Sequence, residues 1–235
     1  MTLIGAIIES EKLPATSQTG TIRRLFVDEF YSRHVPQIPA NSQVLDLGGS
    51  RIKKRGAFNI DGYSFNVIYA DLTNAKNPHI QADAAAIPLA DSSFDVVICS
   101  ELLEHVACPP LVLREVFRIL RPGGRLLISV PFLFHIHGDP VDFGRYTDHY
   151  WSYHLQLLRF SQIKIENQGH YFAVLADMIR LYCRSIGFRG RLARFKLRLA
   201  DWLVQALMER DRRPDTASNT FLRSFSTGFG IVAFK

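Results

Sequence analysis

The chain has 235 residues, 47% of them hydrophobic, and a formal net charge of +6. That is enough for one sizeable core, but no apolar run reaches the ~18 residues needed to span a bilayer. Residues 3–8 are too short for the apolar part of a secretion signal, and Glu9 and Glu11 follow them. Cys99, Cys108 and Cys183 form neither a metal-binding spacing nor a disulfide framework, so a reducing, cytoplasmic setting is expected.

In chain order, residues 1–20 read as a loose lead-in, and 21–235 as a single domain. Ile22, Leu25, Phe26, Phe30 and Tyr31 recur at helical spacing over 21–35, and Pro36 stops the helix. Short apolar runs then predict strands at 43–47, 66–70, 79–82, 94–100 and 125–131. Residues 51–65 carry Gly56, Asn59, Asp61 and Gly62 and read as a loop. The stretch "PPLVLREVFRILRPGG" predicts a helix with Leu113, Val116, Phe117 and Leu120 on one face. Between Gly169 and Ser224 the chain leaves this alternation, and helices are expected at 171–182 and 192–208. Nearly all-apolar strands alternating with helices imply a parallel sheet covered on both faces.

Such sheets bind ligands outside the carboxyl ends of their strands. Here those ends carry Gly48-Gly49-Ser50, Asp71-Leu72, Asp83-Ala84 and Ser100-Glu101, and after the fifth strand the dense polar segment "FHIHGDPVDFGRYTDHYW". A lone aspartate at such a place is usually a helix cap. Several at one edge point to a site.

The segment "VLDLGGS…YADL…ADAAAIPLADSSFDVVICSELLEHV…LREVFRILRPGGRLLISVP" resembles the class I S-adenosylmethionine-dependent methyltransferases over about 90 continuous residues. The resemblance implies a Rossmann-like, doubly wound α/β sheet of seven strands with the last antiparallel; "FSTGFGIVAFK" suits that strand and "SQIKIENQG" the one before it, so the basic helical stretch at about 171–213 reads as an insertion before the final strand. It also implies S-adenosyl-L-methionine as cofactor. That cofactor has no pyrophosphate, so the Gly-x-Gly-x-x-Gly loop of a dinucleotide site is not required. Gly48 and Gly49, lacking Cβ atoms, leave room for its methionyl part, and Ser50 can donate a hydrogen bond. Asp71 would accept from both ribose hydroxyls, with Leu72 beside it. Asp83 and Ala84 would lie against the adenine. Asp46 would brace the glycine turn, and Ser100, Glu101, Leu102 and His105 would line the methionyl end. The basic run at 51–55 is either a solvated face or a carboxylate clamp.

For chemistry, "PFLFHIHGDPVDFGRYT" resembles an acceptor-loop segment of one methyltransferase subgroup. His137 is the first candidate base, followed by His135 and Asp142, with Arg145 and Tyr146 in the same loop and Asp139, Asp148 and His149 near it. Alternatively the loop is only a pinned network, since Asp and Arg three residues apart commonly pair. The histidines show no recurrent ligand spacing, so no metal is expected. Residues 180–213 hold ten basic and three acidic side chains, more than the whole excess of charge. With Leu192, Phe195, Leu199, Trp202, Leu203 and Ala206 on one side, this stretch either packs on the domain or lies on an anionic membrane. A small-molecule, glycan or lipid-linked acceptor is expected, and no nucleic acid. Two other classes fit less well: a non-catalytic relative of the fold that binds a partner, and a nicotinamide oxidoreductase.

Overall fold

A computed structural model of the chain describes residues 20–52, 56–138, 141–187 and 192–235. Almost all of the expected lead-in, the basic residues Lys53, Lys54 and Arg55, the candidate Asp139, and 188–191 lie outside the described residues. Seven strands form one sheet in the order β3-β2-β1-β4-β5-β7-β6. They are β1 (Gln43–Leu47), β2 (Asn66–Asp71), β3 (Ile80–Gln81), β4 (Phe94–Ser100), β5 (Leu120–Pro131), β6 (Ser161–Asn167) and β7 (Gly228–Phe234). β1 to β5 pair in parallel, and β7 runs antiparallel to both β5 and β6. This is the sheet implied by the resemblance, down to the reversed last strand.

Both faces are covered, by different means. On one face α2 (Pro109–Ile119) and α3 (Asp148–Leu157) bury Val112, Leu113, Val116, Trp151 and Leu155 against Leu45, Val97, Leu126 and Ile231. On the other, α1 (Ile22–His34) buries Val27, Phe30 and Tyr31. There the described part of the β1–β2 connection adds Phe58, Ile60, Tyr63 and Phe65 in place of a helix, with only a single 3₁₀ turn at Ile60–Gly62. Aromatic side chains thus do the covering that a crossover helix performs elsewhere, which is why residues 51–65 lack helical periodicity.

Three elements differ from the sequence expectation. β5 starts at Leu120 rather than 125, because Leu120 already pairs with Phe94; the chain then bulges through Pro122-Gly123-Gly124 before Arg125 pairs with Val96. Proline and a left-handed glycine are tolerated in a strand at such a bulge. β3 shrinks to two residues, although His79 and Ala82 still donate to Tyr69 and Asp71 of β2 at 2.8 and 2.9 Å. The third difference is α3, hidden in a segment that reads as polar loop. Its start is set by Thr147, whose side chain accepts from the Tyr150 amide, and its core face by Trp151 and Leu155.

Between β6 and β7 lie α4 (Tyr171–Ile186), α5 (Ala193–Asp211) and the short α6 (Pro214–Ser218). α4 and α5 pack on α1 through Ile22, Ala173, Ala176, Val204 and Met208. Two buried aspartates tie this group together. Asp211, at the end of α5, accepts from the amides of His170 and Ala173 at the start of α4, and Asp177 of α4 accepts from the Ile22 amide at the start of α1. Each carboxylate thereby satisfies helix N-terminal amides that have no partner within their helix. Of the two readings of the apolar stripe, packing on the domain is not what is seen: Leu192, Phe195, Leu199, Trp202 and Leu203 are exposed, Trp202 to 64%. The helix buries the opposite face because Val204 and Met208 are the residues in register with α1 and α4. No helix among the described residues is long and apolar enough to cross a membrane.

Candidate active site

A cavity of about 550 Å³ opens at the carboxyl ends of β1, β2 and β4, within the range of small-molecule and cofactor pockets. Asp46, Gly48, Gly49, Ser50, Asp71, Leu72, Asp83, Ala84, Ser100, Glu101, Leu102 and His105 all line it. The glycines are there for space. A Cβ on Gly49 would fall 2.2 Å from the Asp46 carboxylate, and one on Gly48, whose φ is +81°, would meet Leu102 at 2.9 Å. Asp46 and Leu102 therefore fill the volume that two side chains would need, and the turn's backbone faces the cavity bare.

Asp71, at the end of β2, is buried. One of its oxygens accepts from the amide and hydroxyl of Thr73 at 2.9 and 3.1 Å, and the other from Lys76 Nζ at 3.0 Å. Lys76 also reaches the Gly48 carbonyl at 3.3 Å, so it joins the glycine turn to the acidic end of β2. Asp83 accepts from the Ala85 amide, and Ser50 from within its own loop donates to Ile52 O. Of the basic run at 51–55, Arg51 turns away to a second hollow with Asp61, Tyr69 and His79.

The wall opposite the strands belongs to α1, which contributes Arg24, Val27, Asp28 and Tyr31. Sequence reading missed this wall. Asp28 accepts from the Ala57 amide at 2.7 Å and so holds the β1–β2 loop over the cavity. Burial raises the Asp28 pKa. Arg24 brings a guanidinium to the cavity beside Asp28 and Glu101. Arg23, one position earlier, points the other way and is 2% exposed. It pairs with Glu101 at 2.5 and 3.1 Å, with Ser129 Oγ at 3.0 Å, and with Gln168 Oε1. Burial would push the Glu101 carboxyl up, but the Arg23 guanidinium holds it below its ordinary value. The available signal was a charged residue within the apolar stripe of the first helix, adjacent to Ile22 and four before Val27.

The expected acceptor loop lies beside this cavity and contributes Val141 to its wall, whereas His135, His137, Asp142, Arg145 and Tyr146 are not part of that wall. Arg145 grips Asp142 with two nitrogens at 2.5 and 2.6 Å, and Asp142 also accepts from the His137 amide at 2.9 Å. These hydrogen bonds, those of Arg145 first, hold the Asp142 carboxyl down to about 2. Arg145 donates as well to the His135 carbonyl at 3.0 Å. Asp142 and Arg145 thus brace the loop. Tyr146 stacks on Tyr150, with ring centroids 4.3 Å apart, and packs edge-on against Trp151. His137 lies edge-to-face against His105, with centroids 5.1 Å apart, and His105 lines the cavity. Beneath the pair, Glu104 is 1% exposed and neither carboxylate oxygen has a hydrogen-bond partner. Burial, with the Glu101 carboxylate nearby, pushes its pKa up to about 8. One ligand atom each from Glu104, His105 and His137 falls within 4.8 Å of the others. No repeating spacing announced this group, because its members come from two separate loops.

A family model described as a methyltransferase domain matches residues 53–128. The ubiquinone/menaquinone biosynthesis C-methyltransferase of Vibrio campbellii is 34% identical over 170 residues, 64% of this chain and 62% of that protein. The enzyme of the same name from Proteus mirabilis is 29% identical, over 69% of this chain and 68% of its own length. The chain thus spans about 62% of the first of these relatives. Among solved structures, an S-adenosylmethionine-dependent methyltransferase from Archaeoglobus fulgidus superimposes with a TM-score of 0.56 at 16% identity, over 90% of this chain and 94% of that one. The Haemonchus contortus phosphoethanolamine N-methyltransferase 2, in complex with S-adenosylhomocysteine, gives 0.52 at 14%, over 90% and 56%. These two likenesses concern the fold.

Removing one partner of a buried pair strands the other charge, at a cost of about 3–5 kcal/mol. Arg23→Met is therefore expected to lose about that much at neutral pH. Because the native Glu101 pKa is depressed, its stabilising contribution is present above the ordinary glutamate value and is lost as pH falls through the native one. The gap between wild type and Arg23→Met should accordingly narrow as pH drops below ~4.3. Urea unfolding at neutral and acidic pH measures both; a gap that stays constant with pH would rule out the ionic origin.

Proposed function

We propose, for a chain that carries a class I S-adenosylmethionine-dependent methyltransferase domain, that it transfers the methyl group to an amphiphilic small-molecule or lipid-linked acceptor at the histidine loop. Support comes above all from one feature: a single cavity that joins the glycine turn and Asp71 at one end to His105 at the other. The residues present fit the cofactor. The bare backbone of Gly48 and Gly49 leaves space, Asp71 offers a buried carboxylate for ribose hydroxyls, and Ala84 and Leu102 are apolar. Arg24 of α1, rather than Arg51, is a cation placed to meet a methionyl carboxylate.

Bound there, S-adenosylmethionine supplies an electrophilic methyl carbon. The chain's contribution is to align the acceptor for in-line attack, which can supply much of the rate. His105 at the cavity wall and His137 behind it are the polar groups at the acceptor end, and the Asp142–Arg145 pair fixes the loop that carries His137. Lys76 already shares the Asp71 carboxylate, so cofactor binding there exchanges or adds to an existing interaction.

The exposed outer face of α5 supports an amphiphilic acceptor. Phe195, Leu199 and Trp202 face solvent among Arg194, Lys196 and Arg198, and the same helix pair packs on α1, whose other side walls the cavity. An aromatic and aliphatic face flanked by cations suits the surface of an anionic membrane. The quinone-pathway relatives are named for a lipid-soluble class of product, in keeping with this reading.

The direct test incubates the protein with methyl-labelled cofactor and a cell extract containing lipids, and seeks the labelled product by mass spectrometry; absence of any labelled product, with cofactor bound, would count against catalysis. Asp71→Ala should weaken cofactor binding by about 1.5–3 kcal/mol, the scale for losing hydrogen bonds to a charged group. Unchanged affinity in calorimetry would remove Asp71 from the ribose site.

His137→Gln should lower turnover by about 10²-fold or more while leaving cofactor affinity near wild type. A mutant that only raises the acceptor KM would reduce this loop to acceptor binding.

Sedimentation with anionic vesicles should fall steeply as salt shortens screening to ~8 Å, and also on joint replacement of Arg194, Lys196 and Arg198 by glutamine. Equal sedimentation with neutral and anionic vesicles, or none with either, would remove the membrane.

A further inference from the structure

We propose that Glu104, His105 and His137 form a binding site for a divalent transition-metal ion, zinc being the best match. This deepens the methyltransferase reading, on which its role with the acceptor rests, although the binding site itself does not depend on it. The ligand set is two imidazoles and one carboxylate, with side-chain ligand atoms mutually within 4.8 Å. Four-coordinate zinc with bonds of about 2.0–2.1 Å needs ligand separations of about 3.4 Å. His105 Nε2 and Glu104 Oε1 are already 3.6 Å apart, so a modest inward turn of His137 completes the contraction.

Two independent features point to a ligand there. Glu104 is 1% exposed, yet neither of its carboxylate oxygens is satisfied by a hydrogen bond. A buried carboxylate without partners is costly, and a dication facing it removes that cost. The second feature is the orientation of the imidazoles. His105 Nδ1 lies 2.6 Å from the Val141 carbonyl, and His137 Nδ1 lies 3.2 Å from the His135 carbonyl and 3.5 Å from Asp142 Oδ2. Oxygens at Nδ1 favour the proton there and leave the Nε2 lone pair of each ring for a metal, as outer partners do around metal-ligating histidines. Arg145 Nη2 is 3.4 Å from the same His137 nitrogen, but its charge is already matched by the two-pronged pair with Asp142.

Three protein ligands leave a fourth position open. His105 lines the cofactor cavity, so that position sits at the cavity's edge. A hydroxyl or phenol acceptor whose oxygen binds the ion would lose its proton to solvent water. The O–H bond breaks, the electron pair stays on oxygen, and the metal stabilises the resulting oxyanion. His137 then acts as a metal ligand in place of a free base, and a proton acceptor on the protein is not needed.

The test titrates Zn²⁺ into the full-length protein, stripped with chelator, by calorimetry, and follows Co²⁺ by its visible absorption. One ion per chain is expected with a dissociation constant near micromolar or below. Glu104→Gln and His137→Gln should each weaken it by more than about 10–100-fold, the loss typical of outer partners alone. His149→Gln, on α3, should change nothing. Circular dichroism checks each fold, and the half-exposed position of His137 makes that variant the safer of the two. Absence of saturable binding, or binding equal in wild type and in both ligand variants, would overturn the site. S-adenosylhomocysteine affinity is measured on the same metal-free samples. Its failure would undermine the methyltransferase reading and leave the metal result intact. Methyl transfer that is unaffected by chelation would overturn the role assigned to the ion with the acceptor.

Discussion

The Arg23 guanidinium holds the site together. It is buried at the start of α1 and bonds at once to Glu101 after β4, Ser129 in β5 and Gln168 after β6. These groups come from three neighbouring parts of the sheet's carboxyl edge. A charge in that position is tolerable because all three of its nitrogens are hydrogen-bonded, and Glu101 keeps its own charge because Arg23 is there. Glu101 sits at positive φ, +51°, in a turn that departs from regular strand geometry as β4 gives way to the short turn carrying Glu104 and His105. The ion pair therefore fixes the backbone from which both buried carboxylates project.

Everything on that edge follows from α1 being pulled down onto the sheet. Its inner side closes the cavity with Val27, Tyr31 and Asp28, and Asp28 in turn draws Ala57 and the aromatic loop across the top. Its outer side receives α4 and α5, secured by Asp177 and Asp211. One helix thus separates two environments: a polar, enclosed cavity on one flank and, through the packed pair, a basic face with exposed aromatic side chains on the other.

The histidine loop shows a similar division of labour. Asp142 and Arg145 spend their hydrogen-bonding capacity on each other and on loop backbone. Beside them, Glu104 keeps both carboxylate oxygens without a hydrogen bond, next to His105 and His137. A rigid brace around a small set of under-satisfied polar groups is a physical arrangement suited to binding, because the cost of holding those groups in place has been met by folding.

What could be read from the amino-acid order was whatever depends on local pattern. Alternating apolar runs announced the strands of a covered parallel sheet, and the residues just past each strand announced the cavity, because a parallel sheet brings those ends to one edge whatever the loops do. Gly48 and Gly49 were legible for the same reason: their neighbours along the chain show where the turn falls. Tertiary structure alone decided the rest. Arg23 looks like one more charged helix residue until Glu101 and Gln168, 78 and 145 residues away, are seen to meet it. By period the stripe of Leu192, Phe195, Leu199 and Trp202 reads either as a core face or as a membrane-facing one, and only the packing of Val204 and Met208 on α1 shows that it faces outward. Glu104, His105 and His137 share no sequence spacing because the distance that joins them runs through space between two loops, and burial, which leaves the Glu104 oxygens without a hydrogen bond, is a property of the folded chain.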